Sequence, residues 1–149
     1  MRYFYRTPCT DQCAVGPTKV SAPVGSFDLP KATNGKQQLV VDVISDAVCP
    51  WCYIGSKRMH RALDDVDTSK VDVHVRWHPY QLDPSAPTYP NSEDKMQMYA
   101  KKFGAARINM MIPGVVAAGK EEGLDIKFGG KVGNTLLAHK LLHYVAEKY

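Results

Sequence analysis

The stretch VISDAVCPWCYIG, residues 43–55, joins an apolar run to a helix-like segment through a short polar turn. The turn places Cys49 and Cys52 in C-x-x-C spacing at the predicted start of the helix. Backbone N–H groups at a helix start lack partners and favour negative charge, so a thiol there is expected to ionise more readily. The second cysteine, one turn further on, is placed to resolve a mixed disulfide. The pattern therefore predicts a redox-active dithiol.

Composition and charge narrow the classes of function. The chain of 149 residues, 44% hydrophobic and 23% charged, is expected to form one globular domain. Its net charge of +4 is uneven, because residues 1–37 carry five Lys or Arg against two Asp and so leave only +1 for the rest. A nearly neutral body gives no indication of nucleic-acid binding. No apolar run is long enough to span a bilayer, so no membrane partner is expected.

The N-terminal segment bears on where the protein is expected to act. Residues 1–37 show neither helical nor strand periodicity and predict a flexible extension. They lack the apolar core of a secretory signal peptide, so the cytoplasm is the expected compartment, while their basic residues leave a mitochondrial or plastid location open. The extension contains Cys9 and Cys13, whose role the sequence does not determine. Zinc binding by these two is not expected, because no second pair of ligands lies nearby.

Residues 38–82 predict a strand–helix–strand unit. The apolar run over residues 39–44 is typical of a strand that is buried on both faces. Pro50 suits the first position of a helix, and apolar residues at spacings of three and four extend that helix to about Asp65. Gly55 weakens the helix slightly, and we expect it to allow a close approach to the sheet.

The second strand of this unit has the clearest pattern in the chain. Apolar and polar residues alternate over residues 71–78, and His74 and His78 belong to the polar, solvated face. A strand, a helix and a strand within this distance predict a parallel pair joined by a crossover. The C-x-x-C turn then lies at the carboxyl end of the first strand, where open α/β sheets hold their sites.

Residues 83–149 predict helices. Ser92 is the expected N-cap of the first, and a second helix is expected from about Pro113 to the stop at Gly123. Asn134 is expected to cap the last helix. Its apolar residues are expected to face inward, namely Leu137, Leu141, Leu142 and Val145.

Four motifs occur in the order in which a known family has them. SDAVCPWCYIG, residues 45–55, resembles the active-site signature of the DsbA-like thioredoxin superfamily, in its FrnE-like branch. WHPYQLDP (77–84) is similar to the exit of that family's second strand. EGL (122–124) and NTLLAHKL (134–141) are similar to motifs of its helical insertion. The resemblance extends over residues 38–149.

This resemblance implies an α/β fold in two parts. A thioredoxin-like βαβ half, residues 38–82, is followed by an all-helical insertion, residues 83–149. In the family, a ββα half with a cis-proline loop facing the cysteines comes after the insertion. The sequence has no counterpart to that half after its last helix, so we expect a C-terminally truncated copy of the domain. Its sheet would then keep an open edge, which is a site for pairing or aggregation.

The resemblance also implies roles for the residues of the redox turn. Cys49 is the exposed attacking thiol and Cys52 the buried resolving thiol, while Pro50 and Trp51 influence the redox potential. For Asp46 two roles are open. It caps the turn, which we favour, or it accepts a proton during exchange at the cost of raising the pKa of the nearby thiol.

The last helix adds two candidate residues. In the family this helix approaches the active site, which implies a substrate-binding role for Asn134 and His139. The alternative is that His139 packs against the helices or faces solvent. His139 and His143 lie one helical turn apart, but no third ligand is identifiable, so no metal site is predicted. No cofactor is expected beyond the dithiol itself, with glutathione as a candidate reductant.

These observations predict a thiol–disulfide oxidoreductase or isomerase acting on protein or small-molecule thiols. Two other functions are open. One is an inactive, truncated remnant that acts as a binding module. The other is a glutathione-dependent transferase or isomerase related to the kappa class, whose members have serine at the first cysteine position; the presence of both cysteines here argues against it. The substrate, the direction of exchange and the oligomeric state are not determined by the sequence.

Overall fold

A computed structural model describes residues 35–148 of the chain. Most of the predicted N-terminal extension, with Cys9 and Cys13, lies outside the described residues. The elements in chain order are β1 (Gln37–Ser45), α1 (Pro50–Asp64), β2 (Val71–Pro79), β3 (Glu93–Asp94), α2 (Lys95–Phe103), α3 (Ala105–Glu121), β4 (Lys131–Val132) and α4 (Leu136–Lys148).

The predicted strand–helix–strand unit is confirmed. Strands β1 and β2 pair in parallel, from Gln37 opposite Val71 to Ser45 opposite Pro79, with α1 as the connection between them. The chain continues from β2 by a hydrogen bond from Tyr80 N to Ser45 O of 2.9 Å. The ends of both strands are therefore held side by side next to the C-x-x-C turn.

The prediction that β1 is buried on both faces is wrong. Ile44 is 67% exposed and Leu39 47% exposed, since the described part of this sheet contains only two strands. One face carries polar cross-strand contacts instead of a packed layer. His78 Nε2 lies 2.7 Å from Asp42 Oδ1, and His74 Nε2 lies 2.7 Å from a side-chain oxygen of Gln38. The two histidines are thus hydrogen-bonded as well as solvated.

Helix α1 begins at the predicted position, with Pro50 in its first turn. It buries Ile54 completely, in a small core with Val115 of α3 and Leu124. Partly buried residues around this core are Met111, Ala118, Ile126 and Phe128. The role predicted for Gly55 is wrong, because a Cβ atom added there would meet nothing within 4 Å. The core therefore joins α1 to the helical region and lies away from Gly55.

The helical region differs from its prediction at two helix starts. The N-cap of α2 is Asp94 and not Ser92, since the Asp94 carboxylate accepts the N–H of Gln97 at 3.0 Å. Helix α3 begins at Ala105, and Pro113 lies inside it and not at its start. A chain reversal at Gly104, whose φ is +82°, separates the two helices, and such a φ favours glycine.

Two short segments form a second sheet that the sequence pattern did not predict. Strands β3 and β4 pair antiparallel, with Glu93 opposite Val132 and Asp94 opposite Lys131. Two-residue strands are too short to show a period. Their pairing nevertheless fixes the start of α2 next to the segment that leads into α4.

The orientation predicted for the leucines of α4 is wrong. Leu137 is 69% exposed, Leu141 62% and Leu142 58%. Within the described side chains of this helix, His139 is the one that is buried, at 9% exposure. The most buried described side chain of α4 is therefore a polar one.

An ion-pair cluster ties α1 to the end of α3. The Glu122 side chain is only 5% exposed and accepts hydrogen bonds from Arg58 Nε at 2.9 Å and Arg61 Nη1 at 2.8 Å. The neighbouring Glu121 is 71% exposed and lies 3.4 Å from Arg58. The two adjacent glutamates thus share Arg58 as a partner, but Glu122 is far more buried and its contact with Arg58 is shorter.

We expect Glu122→Gln to destabilise the protein by about 1–2 kcal/mol, because it removes the charge that pairs with two arginines. The expected loss of stability is small because both guanidinium groups are partly exposed to solvent. The free energy of unfolding is measured by urea denaturation, with circular dichroism as the signal. Glu121→Gln is the matched control and should change the free energy of unfolding by less than about 0.5 kcal/mol. Equal effects of the two variants would contradict this account of Glu122.

Candidate active site

The C-x-x-C turn has the local geometry that its sequence predicts. Cys49 is the N-cap residue of α1, with an extended backbone (φ −83°, ψ 114°), and Pro50 follows in the first turn. The carbonyl of Cys49 accepts the N–H of Tyr53 at 3.2 Å, which begins the helical hydrogen-bond ladder. Cys49 and Cys52 are free thiols, each partly buried. The two sulfurs therefore stand within one helical turn, in reduced form.

Burial decides the ionisation of the first thiol. Desolvation is the largest influence and raises the pKa of Cys49 above its ordinary value. The backbone N–H groups of Cys52 and Trp51 act in the opposite direction, as expected at a helix start, and the sulfur of Cys52 adds to the rise. The prediction that this thiol ionises more readily is therefore wrong for the reduced pair, because burial outweighs the helix terminus.

Asp46 is the buried centre of the turn, at 3% exposure. Its backbone carbonyl accepts the N–H of Cys49 at 3.1 Å, and its carboxylate Oδ1 faces the N–H of Val48 at 3.4 Å. The other carboxylate oxygen, Oδ2, accepts the N–H of Leu82 at 2.7 Å, just beyond β2. These contacts are those of the turn-capping role that we favoured. They also join the turn to the end of the neighbouring strand.

His139 of α4 contacts the same carboxylate. Its Nε2 lies 3.2 Å from Asp46 Oδ1 and 3.0 Å from the carbonyl oxygen of Tyr80. Because a carbonyl oxygen only accepts, Nε2 carries the proton and donates to both. No local sequence pattern indicates this partner of His139, since the two residues are 93 positions apart.

Asn134 performs the predicted capping of α4 and joins this helix to the loop after β2. Its Oδ1 accepts the N–H of Leu136 at 2.9 Å and a side-chain N–H of Gln81, also at 2.9 Å. Its amide nitrogen donates to the carbonyl of Pro84 at 2.9 Å. Among the described residues, neither Asn134 nor His139 lines the cavity described next, and a substrate-binding role for them stays a prediction.

A cavity of about 220 Å³ lies between the redox turn and the helical region. Cys49, Pro50 and Trp51 form one side of it. The opposite side is mainly apolar and comprises Met98, Tyr99, Phe103, Met111, Val115 and Phe128. Charged residues at the cavity are Asp46, Asp83, Glu93 and Lys102. The first cysteine of the pair thus borders an apolar space, whereas Cys52 is not among the lining residues.

Tyr99 is a cavity residue whose place in the site was not evident from the sequence. Its ring packs edge-on against Phe103, with centroids 5.6 Å apart, and tilted against Phe128 at 5.9 Å. Burial raises the pKa of Tyr99, and the negative charge that Cys49 carries when ionised raises it further. In the sequence Tyr99 shows only helical spacing with Met96 and Phe103, which marks a packed face and not a site.

Residues 35–148 lack two other kinds of functional feature. This part of the chain holds no group of three or more His, Cys, Asp or Glu side chains placed to bind a metal ion. It also holds no helix with the length and apolar character to cross a bilayer.

Comparisons with known proteins identify the family of the domain. The family model of the DSBA-like thioredoxin domain matches residues 40–149. Among solved structures, a probable DsbA oxidoreductase from Streptomyces coelicolor is 27% identical, with a TM-score of 0.65 over 74% of this chain. The match spans 47% of that protein, so the chain corresponds to about half of its length. The search of curated proteins gave no match.

We expect alkylation of Cys49 to follow the raised pKa of its thiol. In the reduced wild-type protein, the rate at which Cys49 reacts with iodoacetamide should rise with pH to a midpoint above the ordinary 9.0, with peptide fragmentation distinguishing Cys49 from Cys52. Burial keeps the thiol neutral below that point. Mass spectrometry of the Cys49 peptide measures the rate separately from Cys9 and Cys13. A midpoint below 9.0 would show that the helix terminus, and not burial, controls ionisation.

Proposed function

Since the chain belongs to the family of DSBA-like thioredoxin domains, we propose that it is a thiol–disulfide oxidoreductase acting through Cys49 and Cys52. The observation that carries the proposal is the free thiol pair at the start of α1, with the first thiol on an apolar cavity. Substrates are protein or small-molecule disulfides and thiols. No bound cofactor is required, because the two thiols themselves supply the electrons.

The position of each sulfur supports a division of roles. Cys49 lines the cavity and so meets the substrate, whereas Cys52 follows within the first helical turn. The Cys49 thiolate attacks one sulfur of a substrate disulfide, and the other substrate sulfur leaves as a thiolate that takes up a proton. Cys52, after losing its proton, attacks Cys49 and releases the second substrate thiol. The substrate disulfide is reduced by two electrons, and Cys49 and Cys52 become joined as a disulfide.

The cavity supports a preference among substrates. Its apolar side would accept a large apolar side chain next to the substrate disulfide, and burying such a group stabilises a complex by about 1.5–3 kcal/mol. Asp46 supports the reaction by holding the turn in place. Pro50 and Trp51 lie on the cavity side of the turn, where they contact whatever enters.

The test is the reduction of insulin disulfides in the presence of dithiothreitol, which returns the pair to the dithiol form. Cys49→Ser should lower the rate to that of dithiothreitol alone, because the attacking sulfur is lost. Cys52→Ser, incubated with insulin in the absence of dithiothreitol, should instead accumulate a mixed disulfide with the substrate, since the resolving thiol is lost. The double variant Cys9→Ser/Cys13→Ser is the matched control for removing two sulfurs and should retain the wild-type rate.

The other outcomes of this experiment separate the alternative functions. A cooperatively folded wild-type protein that leaves insulin unreduced would contradict the proposal and favour a binding module. Saturable glutathione binding that survives Cys52→Ser, together with an absence of insulin reduction, would favour glutathione-dependent transfer or isomerisation. Retention of the full rate in Cys49→Ser would exclude Cys49 as the attacking thiol.

A further inference from the structure

We propose that His139 is a positioning residue for the redox turn, acting through Asp46 on the reactivity of Cys49. This inference deepens the proposed function and rests on it. The supporting observation is that His139, in the middle of α4, contacts both the turn after β1 and the segment after β2. His139 does not line the cavity, so its influence on Cys49 passes through the carboxylate of Asp46.

The first step of the argument is the hydrogen-bond chain itself. His139 donates from Nε2 to Asp46 Oδ1 at 3.2 Å, and the backbone carbonyl of Asp46 accepts the N–H of Cys49 at 3.1 Å. One residue thus separates the imidazole from the backbone of the attacking cysteine. The shared contact of Nε2 with the Tyr80 carbonyl at 3.0 Å fixes the imidazole from a second side.

The second step is the burial pattern of α4. This helix exposes Leu137, Leu141 and Leu142, each by more than half, and buries an imidazole at the point of contact. If burial of apolar surface alone decided the orientation of α4, its leucines would be buried and its histidine exposed. A buried polar group costs free energy unless it is hydrogen-bonded. The burial of a histidine at this contact is explained by its hydrogen bond to the buried carboxylate of Asp46 in the redox turn.

The third step connects the position of the turn to the chemistry of the thiol. The backbone N–H groups of Trp51 and Cys52 are the groups that favour the thiolate form of Cys49 against the effect of burial. The direction of these N–H groups relative to the sulfur depends on the position of the backbone before them. Asp46 fixes that backbone by accepting the N–H of Cys49. Without its histidine donor, the buried Oδ1 of Asp46 keeps only the long 3.4 Å contact with the N–H of Val48, and we expect the carboxylate and the turn to shift.

The experiment compares three substitutions at His139 in the folded, reduced protein at pH 7. His139→Leu removes the donor, and the rate of Cys49 alkylation should fall by about threefold to tenfold, the range for one lost hydrogen bond. His139→Gln should restore the rate to near wild type, because its amide nitrogen carries two N–H groups for the two acceptors. His139→Asn is polar but too short to reach Asp46, and it should be as slow as the leucine variant.

A second readout and a control separate positioning from a general loss of structure. The reduction potential of the Cys49–Cys52 pair, measured against glutathione redox buffers, should shift in the Leu and Asn variants and return to wild type in the Gln variant. His74→Leu removes an imidazole that is bonded to Gln38 on the exposed face of the sheet. It should alter neither the alkylation rate nor the potential.

Three results would overturn the inference. The first is a wild-type alkylation rate and potential in a folded His139→Leu or His139→Asn variant. The second is failure of the Gln variant to restore what the Leu variant loses. The third is loss of the folded state in both the Leu and Asn variants, since His139 would then be needed for folding itself. Insulin reduction by the wild-type protein tests the proposed function separately, because alkylation of Cys49 requires no exchange.

Discussion

The arrangement of this site depends on satisfying one buried carboxylate. Asp46 is 3% exposed, and an ionised group at that depth costs several kcal/mol unless donors surround it. Its donors are the N–H of Val48, the N–H of Leu82 and the imidazole of His139. They come from the redox turn, the segment after β2 and α4, so satisfying the carboxylate brings these three parts together. The N-terminal end of α1 is then held where the cavity forms.

Two opposing effects act on the first cysteine, and their balance shapes the chemistry. A helix start contributes about 0.3–1 kcal/mol in favour of a negative charge. Partial burial against apolar side chains acts against that charge, and it is the larger influence on the pKa of Cys49. The apolar residues that line the cavity next to Cys49 therefore keep this thiol neutral to a higher pH.

The sequence predicted the parts of the fold that have a clear period and failed where local signals compete. The alternation over residues 71–78 and the C-x-x-C turn predicted the βαβ unit, which the structure confirms. Pro113 suggested a helix start because proline is common there, yet α3 accommodates it internally, and Ser92 and Asp94 are equally suitable caps by type. The contact of His139 with Asp46 is a long-range pairing with no local signature. Sequence reasoning could therefore identify the thiols and the capping role of Asp46, but not the distant histidine that contacts its carboxylate.

The way in which α4 is attached explains how a site of this precision can rest on a small core. Apolar packing is strong but non-directional, and a helix held by leucines alone could slide by small amounts at little cost. Helix α4 leaves its leucines exposed and is attached instead through Asn134 to Gln81 and through His139 to Asp46. Hydrogen bonds weaken steeply with misalignment, so these two contacts fix the rotation and height of the helix. The same geometry that locates α4 thereby locates the carboxylate, and through it the backbone of the attacking cysteine.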